Sequence, residues 1–131
     1  MVETINLTPA LEDYLEVILE LEEKENGTRV TDIADKMNIA KSTVTITINK
    51  LKNMGLVQQE SYGPIELTSA GKKHALEIRH RHSMIRRFLI DVLGVDYQTA
   101  DEDACLMEHV VSPTTLKKIE EYMEKAQEAE K

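Results

Sequence analysis

The stretch from residue 30 to 67 constrains the fold most, because its punctuation leaves the backbone few choices. Val30–Met37 spans about two helical turns with Ile33, Ala34 and Met37 to bury, and Asn38-Ile39-Ala40 then breaks the pattern. A further helix fits from about Lys41 to Met54 and stops at Gly55, which tolerates the left-handed backbone of a helix end. Leu56-Val57-Gln58-Gln59-Glu60 and Ile65-Glu66-Leu67 follow, joined by the turn residues Ser61-Tyr62-Gly63-Pro64, and read as a short β-hairpin.

The flanking segments read as helices. Thr8-Pro9 pairs a hydroxyl cap with proline at the first helical position, where its missing N–H costs nothing. Leu11, Tyr14, Leu15, Ile18, Leu19 and Leu21 recur behind it at helical spacing, up to the turn signal Asn26-Gly27. Thr68 is expected to cap a long helix through His74, His82 and Leu89 to about Leu93, closed by Gly94. Asp101 to about Val111 reads as another helix, and Ser112-Pro113 repeats the cap-then-proline start of a last one. Helix, short turn, helix and two-stranded wing is the order of a winged helix-turn-helix. The expected fold is therefore mainly α, with that module first and helices after it.

A chain of 131 residues makes one domain or two small ones. No apolar run approaches the roughly 20 residues needed to cross a bilayer, so no membrane partner is expected. The first residues lack the basic-then-apolar layout of a signal peptide, which implies a cytoplasmic protein. The single cysteine, Cys105, leaves no internal disulfide. Net charge is −8 but unevenly spread: residues 1–35 carry −8, residues 36–87 carry +7 and residues 88–131 carry −7. A cationic middle between anionic ends is either a polyanion-binding face or an internally paired one.

The helix from Lys41 separates two faces. At about 100° per residue, Val44, Ile48 and Leu51 fall within about 40° of one another and form a core stripe. Ser42, Ile46, Asn49 and Asn53 lie opposite, flanked by Thr43 and Lys50. An isoleucine at the centre of a polar face has a partner in the major groove, where thymine presents a methyl group. Ser42, Thr43 and Asn49 are suited to hydrogen-bond bases or phosphates, and Lys41, Lys50 and Lys52 to hold the backbone. An ordinary surface helix with one exposed isoleucine is the alternative. The wing and the +7 segment favour DNA. Lys72, Lys73, Arg79, Arg81, Arg86 and Arg87 extend that charge, those beyond Arg79 being expected to face the acidic ends or solvent.

A second constellation lies outside this module. Cys105, Glu108 and His109 stand at i, i+3 and i+4, with Asp101 one turn earlier on the same helical face. Asp13 and Glu16 are i, i+3 neighbours on the first helix, and His82 is the best-placed imidazole of the long helix. Sulfur, imidazole and carboxylate together suit a first-row dication such as Fe2+, Mn2+, Co2+ or Zn2+. Each residue also has a plainer use. Cys105 would serve as a small buried hydrophobe, His109 as a core histidine on a carbonyl, and Glu108 as the partner of an arginine. The helix dipole alone favours Asp13 and Glu16 near an N-terminus. Cys105 with His109 also has the look of a nucleophile and base, but neighbours on one helix face supply no oxyanion hole, so no enzyme is expected.

Taken in order, TPALEDYLEVILEL, VTDIADKMNIAKSTVTITINKL, LTSAGKKHA, RHSMIRRFL and EDACLMEHVVS resemble the diphtheria toxin repressor family of metal-dependent transcriptional regulators, including its manganese-responsive branch. The resemblance covers nearly the whole chain, and Ala104 to Ser112 is its most specific part. It implies a winged-helix DNA-binding domain over residues 1–74, then an all-helical metal-binding dimerisation domain over residues 75–131. It implies a homodimer that binds palindromic double-stranded operator DNA when loaded with Mn2+ or Fe2+, with Co2+, Ni2+ or Zn2+ able to substitute in vitro. The expected form is the short one, without the SH3-like domain of another branch. Carried over by position, the primary metal site falls on Asp13, Cys105, Glu108 and His109, and Glu16 and His82 help hold a second ion with Glu108 as a bridge. Cys105 stands where the manganese-responsive pattern has glutamate, and Asp13 where the iron-responsive pattern has methionine. Arg86 and Asp101 replace a glutamate and a histidine of the iron-responsive ancillary site, which an arginine cannot form. A regulator gated by a small organic ligand or by Cys105 oxidation is the alternative function.

Overall fold

Capping chemistry sets most helix ends in the computed structural model, which describes residues 7–24 and 27–129. Among these lie α1 (Pro9–Lys24), α2 (Val30–Met37), α3 (Lys41–Asn53), β1 (Val57–Gln59), β2 (Ile65–Leu67), α4 (Ser69–Asp91), α5 (Tyr97–Met107) and α6 (Pro113–Ala129). The expected turn residue Asn26 lies outside the described residues. The chain divides into two units, one up to Leu76 and one from Glu77, and α4 contributes to both.

In the first unit, Thr8 caps α1 as expected, its hydroxyl accepting the Leu11 N–H at 3.2 Å. Asp32 accepts the Arg29 N–H at 2.9 Å ahead of α2, and Asn38 closes that helix in the left-handed region at φ 57°. Three threonines and three β-branched aliphatics give α3 weak intrinsic propensity. Packing holds it instead: Val44, Ile48 and Leu51 are all buried, alongside Leu15 and Ile18 of α1 and Ile33 of α2. Gly55, at φ 76°, ends α3 and turns the chain into the hairpin.

The hairpin is antiparallel, pairing Val57 with Leu67, Gln58 with Glu66 and Gln59 with Ile65. It has an addition that periodicity did not announce, a bridge from Ile65 to Thr28, whose carbonyl accepts the Ile65 N–H at 2.7 Å. Thr68 then fastens the start of α4. Its hydroxyl donates to the Gly55 carbonyl at 2.6 Å and accepts from the Gly71 N–H at 3.1 Å. Gly71 is required by proximity, since a Cβ there would lie 1.9 Å from the Leu56 carbonyl oxygen.

The second unit has a smaller core, built from Ile85 and Leu89 of α4 and Ala100 and Ala104 of α5. The alanines carry no side chain beyond Cβ and so suit a tightly packed helix face. Helix α6 is tied to α4 by an edge-to-face contact of Phe88 with Tyr122, 6.3 Å between centroids, and by the pair His80–Glu120. Ser112 opens α6 as expected by accepting the Thr115 N–H at 3.2 Å.

Both boundaries of one helix are corrected. Helix α5 begins at Tyr97 rather than Asp101, because Asp96 caps it by accepting the Thr99 N–H at 3.0 Å. It also ends at Met107, so Glu108 is its C-cap and His109 lies in the turn beyond it.

Candidate metal centre and DNA-facing helix

In the second unit, His82 of α4 is held from both sides. Its Nδ1 lies 2.9 Å from Glu108 Oε2 and its Nε2 lies 2.8 Å from Asp101 Oδ1. Arg86, one turn further along α4, donates from Nη1 to the same Asp101 oxygen at 3.0 Å, and its guanidinium lies 5.3 Å from the Tyr97 ring centroid. The Glu108 hydrogen bond holds His82 above the usual imidazole range; burial opposes this and the Asp101 bond adds to it. Asp101 is held below the usual carboxylate range by His82 and then Arg86.

Glu108 is the unusual group. It is 1% exposed, and its Oε1 has no hydrogen-bond partner among the described residues. That oxygen lies 3.5 Å from His109 Nε2. A buried carboxylate oxygen without a donor is costly, and a cation satisfies it as well as a donor does. His82, Cys105 and Glu108 each offer a ligand atom, all within 4.8 Å of one another. Nitrogen, sulfur and oxygen donors at this spacing fit a transition-metal dication.

The structure thus brings His82, Cys105 and Glu108 together and sets His109 beside them. Asp13 and Glu16 belong to α1 in the first unit, Asp13 exposed and Glu16 half-buried. The plain reading of Cys105 as a small buried hydrophobe is corrected, because its side chain is exposed. Glu108 meets a histidine rather than the arginine of the plain alternative. In the sequence, Asp101 is grouped with the Cys105 face and Arg86 with the cationic middle, and both with a lost ancillary site, but not with each other around His82. The signal of their pairing is nevertheless present: His82 and Arg86 are i, i+4 on one helix, as Asp101 and Cys105 are on the other.

On α3 the two faces separate as expected. Ile46 is 69% exposed, and Lys41, Ser42, Thr43, Asn49 and Lys50 are exposed around it. Lys52 is half-buried. Thr45 and Thr47 return their hydroxyls to the Lys41 and Thr43 carbonyls, each at 3.1 Å. The apolar side chain of Ile46 therefore projects from a polar surface with basic groups at both ends of it.

Residues 6–65 match the N-terminal DNA binding domain of the iron dependent repressors, and residues 68–131 match their metal binding and dimerisation domain. An HTH-type transcriptional regulator of Methanocaldococcus jannaschii is 38% identical over 120 residues, covering 91% of this chain and 96% of the relative. The HTH-type transcriptional regulator MntR of Bacillus subtilis is 35% identical over 112 residues, 86% of this chain and 78% of that one. A solved manganese-dependent transcriptional repressor in complex with manganese superposes with a TM-score of 0.78 at 29% identity, over 86% of this chain. The chain spans about half the length of that structure, 51%. Since both halves match in order and the likeness extends through the metal-binding segment, the chain belongs to the iron-dependent repressor family of metal-dependent transcriptional regulators.

Proposed function

We propose that the protein is a cytoplasmic repressor that binds palindromic operator DNA as a homodimer when loaded with Mn2+ or Fe2+, and controls genes of metal uptake and homeostasis. The observation that carries this reading is Glu108, a buried carboxylate with a donorless oxygen beside an imidazole and a thiol. The proposed ligands are Asp13, Glu16, His82, Cys105, Glu108 and His109. Manganese dependence belongs to the solved neighbour, and the donor set of this chain does not choose between the two metals. Cys105 adds a soft ligand that favours iron, and Asp13 a hard one that favours manganese.

A dication bound here supplies the positive charge that lets several carboxylates share one place. Carboxylates gathered without a cation repel one another, so metal is expected to favour the DNA-competent arrangement. With that repulsion relieved, the two Ile46 faces of a dimer are held at one separation and meet half-sites about one helical turn, or a multiple, apart. Lys41 and Lys50 hold phosphates while Ser42, Thr43, Ile46 and Asn49 address bases.

The test is retention of genomic DNA fragments by purified protein with chelator, Mn2+, anaerobic Fe2+ or Zn2+. Selective retention of a few fragments only with metal is expected. Retention indifferent to chelator contradicts the metal gate and leaves a winged-helix regulator controlled by an organic ligand or by Cys105 oxidation.

A further inference from the structure

The geometry points to Asp101 and Arg86 as positioning residues that fix the His82 imidazole for metal binding through Nδ1. This rests on the reading of His82 as a ligand. Asp101 Oδ1 receives two donors, His82 Nε2 at 2.8 Å and Arg86 Nη1 at 3.0 Å. When a metal takes the place of the Nδ1 proton, the ring proton that remains is on Nε2, where Asp101 accepts it. Nδ1 is also the one turned toward Glu108, at 2.9 Å, inside the cluster that includes Cys105. Two side chains that converge on one oxygen leave the ring little freedom to flip.

Arg86 gives the arrangement its direction. Its guanidinium is a permanent cation, held between Asp101 and the Tyr97 ring. Asp101 is thereby engaged as an acceptor from two cationic or potentially cationic groups and does not serve as a metal ligand. The Arg86–Asp101 pair thus supports the neighbouring His82. Carboxylate partners of ligating histidines typically change metal affinity about 10–100-fold when removed.

The test is a Co2+ titration of the full chain, read by the thiolate-to-cobalt absorption of Cys105 and paired with circular dichroism. Long-range proton–nitrogen correlation on the Zn2+-loaded protein then reports which His82 nitrogen is ligated. Wild type is expected to give a thiolate band and a single Nδ1-ligated ring. Asp101→Ala is expected to bind Co2+ about 10–100-fold more weakly, with both ring nitrogens ligated in different molecules. Asp101→Asn keeps an acceptor oxygen and loses its charge, so Nδ1 ligation persists with about tenfold weaker binding, the lower end of that range. It carries the test should Asp101→Ala not fold. Arg86→Gln is expected to weaken binding less than Asp101→Ala, and Arg86→Lys to recover most of the loss. Wild-type affinity in Asp101→Ala and Asp101→Asn, or Nε2 ligation in wild type, overturns the positioning role alone. Absence in wild type of both the thiolate band and the Co2+ d–d absorption overturns the metal site itself, and this inference with it.

Discussion

The two units fill their centres with different materials. The first buries Leu15, Ile18, Ile33, Val44, Ile48 and Leu51, large aliphatic groups drawn from three helices. The second buries Ile78, Ile85, Leu89, Met123 and two alanines, and then spends a 1%-exposed position on the carboxylate of Glu108, where the first buries the acid Glu12 less completely, at 7%. Apolar burial stabilises a unit whatever the solution holds. A buried carboxylate stabilises only with a suitable partner, so the second unit's stability is expected to answer to a ligand at Glu108.

The contrast is broken most directly by a large deletion in the first core. Ile48→Ala or Leu51→Ala should cost about 2–5 kcal/mol in denaturant unfolding, by the same amount with or without Mn2+. A metal-dependent cost would mean that the first unit is not the passive partner. Glu108→Gln comes next. At metal concentrations near 100 times Kd, binding to the native state should stabilise wild type by about 2.7 kcal/mol, seen as a rise in melting temperature. The variant should lose that rise and, in chelator at a pH above the raised His82 range, be no less stable than wild type, because there it removes a buried charge that the neutral imidazole does not offset. A variant destabilised in chelator would make Glu108 a structural anchor rather than a ligand held in reserve. The analogous Glu108→Ala and His109→Ala changes should abolish metal-dependent DNA retention while circular dichroism stays unchanged.

Smaller effects sharpen the same comparison. Thr8→Ala and Ser112→Ala each remove one helix cap, and each should cost about 1 kcal/mol in thermal unfolding irrespective of metal. In the imidazole range the pH response comes from His82 of the second unit. His82 is raised in the folded, metal-free protein, so its contribution to stability is fully present below the ordinary imidazole value. It is lost as pH rises through the raised one. Metal must displace the Nδ1 proton that bridges to Glu108, so metal affinity should weaken as pH falls. Calorimetric titration across that range checks it, and His82→Gln should flatten the dependence.

Much of the first unit is legible in the sequence because its signals are local. Thr8 before Pro9, Asn38 after Met37 and Gly55 after α3 each announce a helix end through backbone chemistry that neighbours do not alter. The start of α5 is easily misplaced although its cap is equally local, because Asp96 follows Gly94-Val95 closely and Asp101 offers a second acidic start. The bridge from Thr28 to Ile65 is long-range and leaves no periodic trace. For the metal centre, spacing groups Cys105, Glu108 and His109, but it does not say which carboxylate finds a donor. That Glu108 keeps an oxygen without one, and that Asp101 takes two, depends on how α4 meets α5. Family resemblance supplies the rest by position.

The central claim is that metal and DNA act on one equilibrium, which makes their effects reciprocal. The most direct test measures the Mn2+ affinity of the wild-type protein free and saturated with a fragment it retains. A shared equilibrium predicts that DNA tightens metal binding by the same factor by which metal tightens DNA binding. Equal metal affinity in both states would contradict it, however tightly either ligand binds alone.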